Sequence, residues 1–227
     1  MAWVYVVSVA GGIVQGDRLQ TEIVARDGAQ VHVTTPAATK IYRSPTCPAS
    51  HLLRIWAGPG TYVEYLPGPV IPFRGARFLE EVILEAHPTA TLVFGGILSA
   101  GRVAMGEAYA YDLYSSRVTA RADDEVLEFV DVMHLTPATI TPRRPGLLGG
   151  FDVLGTLHLL TGEVPARELS DRLHHLLQEQ GEVLAGASEL PSGRGVTARI
   201  VGRRVEPVSA AIHKVFAVAR ATILASG

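Results

Sequence analysis

Cysteine is almost absent from this chain of 227 residues. Cys47 stands alone, so no intrachain disulfide forms and no oxidising compartment is required. No stretch offers about 18 uninterrupted apolar residues, the length that reads as a membrane span. Residues 1–14 are apolar but lack a positively charged start and are broken by Gly11 and Gly12; they read as a buried strand entering a turn, not a secretory signal. Charge of one sign is missing too. There are 20 Lys+Arg against 22 Asp+Glu, a net charge of −2, with no basic or acidic run. That argues against nucleic acid as a partner. A cytoplasmic location with no membrane association is expected.

Catalytic and metal signatures are equally scarce. No G-x-S-x-G elbow is present. The eight histidines include no i,i+4 pair and no H-x-H, and Cys47 has no partner at C-x-x-C spacing. His174 and His175 are adjacent on a helical segment and point about 100° apart, which disfavours joint chelation. No tight metal centre and no bound cofactor are expected. Transient contacts to a cation through carboxylates and hydroxyls remain open.

What the chain has is apolar surface and punctuation. Hydrophobic residues make up 48% and charged residues 19%, enough for one large β domain or a core with a small helical appendage. Short β-type runs recur at 2–9, 18–25, 30–35, 51–56, 61–66, 78–84, 91–94, 108–114, 117–121 and 125–132, separated by Gly, Pro and Asp. In 108–114, alternation places Tyr109, Tyr111 and Leu113 on one face. Many short strands without intervening helices predict a sandwich, a barrel or a solenoid; no fixed repeat length chooses among them.

The texture changes near residue 165. Pro165 suits a helix start, followed by a stripe of Leu169, Leu173, Leu176, Leu177 and Leu184. Residues 193–205 alternate like a strand. Pro207 opens a second helix with the stripe Val208, Ala211, Ile212, Val215, Ala219 and Ile223. The expectation is a β-rich body at 1–164 and a helix-strand-helix segment at 165–227 docked on it, one domain overall.

Four motifs stand out. Gly11-Gly12-Ile13-Val14-Gln15-Gly16-Asp17 would cradle phosphate only if a helix followed; a strand follows instead, so a sharp turn is expected, with φ > 0 at its glycines and Asp17 bonded to its backbone. Residues 34–43, TTPAATKIYR, gather hydroxyls and two cations after a strand; Lys40 as a base needs a buried, convergent pocket, and solvating a sheet edge is the plainer role. Residues 66–73, LPGPVIPF, form a stiff extended crossing. In 101–107, GRVAMGE, Arg102 and Glu107 can pair across a turn or play a direct polar role.

The succession GGIVQGD, TTPAATKIYR, EYLPGPVIPF and GRVAMGE resembles the UreD (UreH) family of urease accessory proteins in content, order and spacing across Gly11 to Glu107. PGLLG at 145–149 and the late helices fit as well. The resemblance implies a mainly β, β-helical, solenoid-like body of many short strands with two C-terminal amphipathic α-helices. It also implies a non-catalytic scaffold that binds the urease apoprotein and the F-type accessory protein, and through it the G-type GTPase. Nickel(II) would pass along an internal tunnel, in transit rather than as a fixed cofactor. Carried over by motif, Gly11, Gly12, Gly16, Lys40, Tyr42, Arg43, Pro67, Phe73, Gly101, Arg102 and Gly106 are structural members, and Asp17, Thr34, Thr35 and Glu107 are the candidates for lining the passage. Family members carry further residues ahead of the first glycine pair, so an uncovered sheet edge is expected beside Met1. Two rival readings are an interaction module with no urease role and a hydrolase using Lys40, Asp17 and Glu107.

Overall fold

The structure, a computed structural model, describes residues 1–26, 28–122 and 126–225. Runs of Val, Ile, Thr and Tyr between Gly and Pro form fourteen described strands, and the chain alternates between two sheets. One sheet, the open sheet, is ordered β11-β10-β8-β5-β2. It contains β2 (Arg18–Ala25), β5 (Ala49–Ala57), β8 (Arg77–Ala86), β10 (Leu113–Ala122) and β11 (Leu127–Leu135). The other, the covered sheet, is ordered β1-β3-β6-β9-β12-β14-β13. Its strands are β1 (Ala2–Tyr5), β3 (Gln30–Thr34), β6 (Tyr62–Leu66), β9 (Thr91–Ser99), β12 (Val153–Leu160), β13 (Val183–Glu189) and β14 (Gly195–Gly202). Two short corner strands, β4 (Thr39–Ile41) and β7 (Val70–Pro72), pair with each other.

Successive coils pair in parallel, which makes the body the expected solenoid. The step is uneven. Val31 aligns with Val63, Val63 with Leu92, and Arg77 with Leu113, offsets of 32, 29 and 36 residues. That unevenness is why no fixed repeat shows in the sequence. The later strands β11, β12, β14 and β13 close the body with antiparallel pairs.

The core has two layers. Between the sheets, Leu53, Ile55, Val82 and Leu84 meet Val33, Val63, Leu92 and Phe94. On the far side of the covered sheet lie α1 (Ala166–Gln178), through Leu169, Leu173 and Leu177, and α2 (Val205–Leu224), through Val208, Ile212, Val215 and Phe216. Each such leucine contributes about 1.5–3 kcal/mol relative to exposure. Gly155 and Gly202 let α2 approach: a Cβ on Gly155 would lie 2.6 Å from Ile212 Cδ1, and one on Gly202 2.7 Å from Val208 Cγ2. By length and composition α2 could cross a membrane, yet its apolar stripe is spent on this sheet.

A buried ion cluster fastens the far end of α2. Glu64 of β6 is fully buried; it sits 2.7 Å from His32 Nδ1 and takes a two-pronged contact from Arg220, whose Nε is 2.8 Å from Oε1. Trp3 tilts over His32 with ring centroids 4.2 Å apart, and Arg220 lies over Phe216.

Several expectations change. The predicted strand at 108–114 is a turn, with Tyr109 at φ 56 and its hydroxyl donating to the Phe151 carbonyl at 2.6 Å; only its end joins 117–121 in β10. Helix α1 stops at Gln178, so Leu184 is no part of its stripe and instead stands exposed on β13. β12 was missed because its residues are buried on both faces and do not alternate. The start of the chain is not a buried strand: β1 is a short exposed edge, with Trp3 and Tyr5 each 58% accessible. Glu125, the first residue of the predicted 125–132 strand, lies outside the described residues.

Arg220→Ala leaves the Glu64 carboxylate buried without its guanidinium, and is expected to lower stability in urea by about 3 kcal/mol. Glu64→Leu combined with Arg220→Met is expected to recover most of that loss.

Candidate functional site

Period-two alternation along parallel strands stacks side chains into rungs. On the inner face of the open sheet, Ala49, Phe78 and Tyr114 form one rung and Leu53, Val82 and Val118 another. Both rungs are apolar and buried. Between them the register aligns His51, Glu80 and Ser116. This single polar rung faces a cavity of about 530 Å³ between the two sheets.

Its members are bonded to one another. Ser116 Oγ donates to Glu80 Oε2 at 2.9 Å and Tyr114 Oη to the same atom at 3.2 Å. Thr21 Oγ1 and His51 Nε2 share a hydrogen bond of 3.0 Å, and His51 Nδ1 lies 4.0 Å from Glu80 Oε1. Glu80 keeps 18% of its side-chain surface because it faces the cavity, not the bulk. Burial pushes its carboxyl above the ordinary Glu value, against the pull of Ser116 and Tyr114, and burial lowers the His51 pKa. Burial thus shifts both groups of the rung towards their uncharged forms.

A second polar group borders the same cavity where the sheets meet. Asp131 of β11 bonds Arg199 of β14 at 2.6 Å and lies 3.2 Å from His158 Nε2, ion-pairing range without hydrogen-bond alignment. His158 Nδ1 in turn meets Thr197 Oγ1 at 3.1 Å. Contact with His158, and then Arg199, brings the Asp131 carboxyl down to about 2.

The motif residues form a ladder along one corner of the solenoid, where Gly11, Gly12, Thr35, Lys40 and Pro67 also border the cavity. The Val14 N–H donates to Asp17 Oδ2 at 2.9 Å, as the turn reading expects, but of its glycines only Gly16 takes a positive φ, 78°. Gly12 is needed for closeness: a Cβ there would lie 2.6 Å from the Lys40 carbonyl oxygen and 2.8 Å from the Tyr42 ring. Tyr42 bonds the Gly11 carbonyl and packs edge-on against Phe73, over which Arg102 lies at 4.3 Å. Arg102 grips Glu107 with two bonds, 2.9 and 2.7 Å. Gly101, at φ 127, leads into this turn, and Gly106 closes its short helical turn in the left-handed region. Arg43 is exposed and bridges to Ala76.

The four passage candidates therefore separate. Thr35 lines the cavity and Thr34 lines a smaller one beside it, whereas Asp17 is held by its turn and Glu107 by Arg102. Lys40 borders the cavity without Asp17 or Glu107, so the hydrolase trio does not converge. His51, Glu80, Asp131 and His158 escaped sequence reasoning. A signal existed for two of them: alternation in 49–57 and 78–84 puts His51 and Glu80 on the face shared with Leu53, Ile55, Val82 and Leu84. Among the described residues, no three His, Cys, Asp or Glu side chains converge as a metal-holding group.

A parallel solenoid enclosing a partly polar lumen defines a scaffold with an internal cavity. A family model described as UreD urease accessory protein matches residues 1–226. The chain is 38% identical over 221 residues to "Urease accessory protein UreD" of Haloarcula marismortui, covering 97% of this chain and 73% of the relative. To the protein of the same name from Cenarchaeum symbiosum it is 36% identical, over 92% of this chain and 73% of that one. To "Urease accessory protein UreD 2" of Brucella canis it is 37% identical, over 96% and 72%. The chain belongs to the UreD family of urease accessory proteins, which are non-catalytic maturation factors.

Because Glu80 keeps its proton to higher pH when folded than when unfolded, its contribution to stability declines as pH rises above the ordinary value of 4.5. Glu80→Gln is expected to raise the urea midpoint at pH 8 and to leave it unchanged at pH 4. Asp131 has the opposite sign. Its contribution is present above 3.8 and is lost as pH falls towards 2. Asp131→Asn is expected to lower stability at pH 7 by roughly 1 kcal/mol, after discounting for solvent screening, with the difference fading below pH 3.

Proposed function

We propose that this chain is a cytoplasmic scaffold for nickel insertion into urease. It binds the urease apoprotein and the F-type accessory protein, which brings the G-type GTPase, and hydrated nickel(II) passes through its lumen. The observation that carries this reading is the His51–Glu80–Ser116 rung, a polar strip facing a cavity between two apolar rungs. Hydroxyls, one imidazole and one carboxyl offer oxygen and nitrogen atoms at intervals, without the three or four convergent ligands that would trap a cation. Burial raises the Glu80 pKa, so its negative charge is disfavoured relative to an exposed carboxylate and the charge well it offers a dication is shallower. Thr35 extends the polar lining towards the covered sheet.

Family membership supports the urease role, and the lumen supports a route through the scaffold, not over it. His51→Leu and Glu80→Leu continue the apolar ladder of Leu53 and Val82, so the solenoid is expected to keep its fold and its partners. Nickel-dependent urease activation by the purified accessory complex should fall about ten-fold with either change, the effect of withdrawing roughly 1.4 kcal/mol of stabilisation from a passing ion. Full activation by a complex carrying both leucines would rule the lumen out as the nickel route.

A further inference from the structure

The wall of the covered sheet is not continuous. β6 pairs with β9 only as far as Tyr65 with Phe94, and β7 rejoins β9 at Val70 with Leu98. Between them the chain reads Leu66-Pro67-Gly68-Pro69, and the two prolines have no N–H to carry a ladder onward. Gly95, Gly96 and Ile97 are therefore left without a strand partner on that side. Two hydroxyls hold the gap's frame. Thr34 Oγ1 donates to the Leu66 carbonyl at 2.6 Å, while Thr35 Oγ1 accepts from the Gly68 N–H at 2.8 Å and donates to the Ala37 carbonyl at 3.0 Å.

Cavities lie on both sides of this gap. The lumen of about 530 Å³ and an outer pocket of about 180 Å³ beneath α2 share Thr35, Pro67, Gly68, Gly95, Gly96 and Ile97 in their walls. Gly96 alternates with Phe94 and Leu98 on the inner face, and a Cβ placed on it meets nothing within 4 Å. The outer pocket is bordered by Ser209, Ile212 and His213 of α2, with Ser209 Oγ 3.5 Å from His213 Nδ1 and His213 exposed.

From this we infer that the lumen opens sideways through the covered sheet at Gly96, beneath the N-terminal half of α2, as a portal for water and hydrated divalent cations. Ser209 and His213 stand at its outer mouth as oxygen and nitrogen donors. Gly96, with a single hydrogen for a side chain, leaves the lumen side of the gap clear, and the two prolines in the rim keep a strand from closing it. On the outer side Leu66 Cδ2 stands over Gly95, so the way out runs past Gly96. The portal's use by nickel rests on the lumen reading above; its existence does not.

A thiol in the gap tests it on the isolated chain. Cys47 is exposed, so Cys47→Ser supplies the thiol-free background and Gly96→Cys the probe. Because thiol reactivity follows access, a small cationic methanethiosulfonate should modify Gly96→Cys at a rate within about ten-fold of that of native Cys47. Adding Ser209→Trp, which fills the outer mouth, should slow modification at least about ten-fold, since access is then the limiting factor. An unreactive thiol overturns the portal, and so does a rate that Ser209→Trp leaves unchanged, because the reagent would then be entering from the end of the lumen. Should Gly96→Cys fail to fold by circular dichroism, Thr35→Cys, which borders both cavities, takes its place with the same two outcomes. Slowed labelling together with undiminished urease activation in Ser209→Trp keeps the portal and removes it from the nickel route. Lost activation in Glu80→Leu with unchanged labelling bears on the lumen reading alone.

Discussion

Parallel pairing of β2, β5, β8 and β10 is the constraint on which the rest of this structure depends. Once those strands are in register, period-two alternation assigns every side chain to the lumen or to the outside, and a slip of one residue would invert them all. The register stacks like on like. Alanine, phenylalanine and tyrosine close one end of the interior, and leucine, valine and isoleucine pack the other. A polar rung between such layers is destabilising unless it is bonded. His51, Glu80 and Ser116 meet that condition among themselves, with Thr21 and Tyr114. The cavity beside them is the space left where small or polar side chains face Gly96 and Thr156 across the lumen.

The covered sheet and its helices answer a different requirement. A two-sided sheet must bury its far face, and α1 and α2 do so with leucine, valine and phenylalanine. The Glu64 cluster adds direction to that packing, since His32 and Arg220 both converge on one fully buried carboxylate. Because β6 carries Glu64 and, two residues on, leads into the Pro67–Pro69 rim, the element that fastens α2 also leads into the gap that α2 overhangs. The anchorage of the helix and the access to the lumen share one strand.

The corner ladder explains why four separated motifs occur together. Gly12 admits Tyr42, Tyr42 packs on Phe73, Phe73 lies under Arg102, and Arg102 binds Glu107. One member comes from each successive coil. Their role is to hold the corners in line, and the carboxylates Asp17 and Glu107 are occupied in doing so.

By itself the sequence determined the local events: strands where alternation is clear, the Asp17 turn, the Arg102–Glu107 pair, two helices begun near Pro165 and Pro207, and the family through its ordered motifs. These depend on neighbours a few residues apart, which a linear pattern records. The tertiary structure decided the rest. It chose a solenoid over a sandwich or barrel, because coil steps of 29, 32 and 36 residues leave no repeat to read. It placed β12, whose two buried faces erase alternation, and turned Tyr109 out of a strand. It also brought His51 beside Glu80 and Asp131 beside His158, partners separated by a full coil or by a change of sheet. Such meetings are set by register, and register is a property of the folded whole.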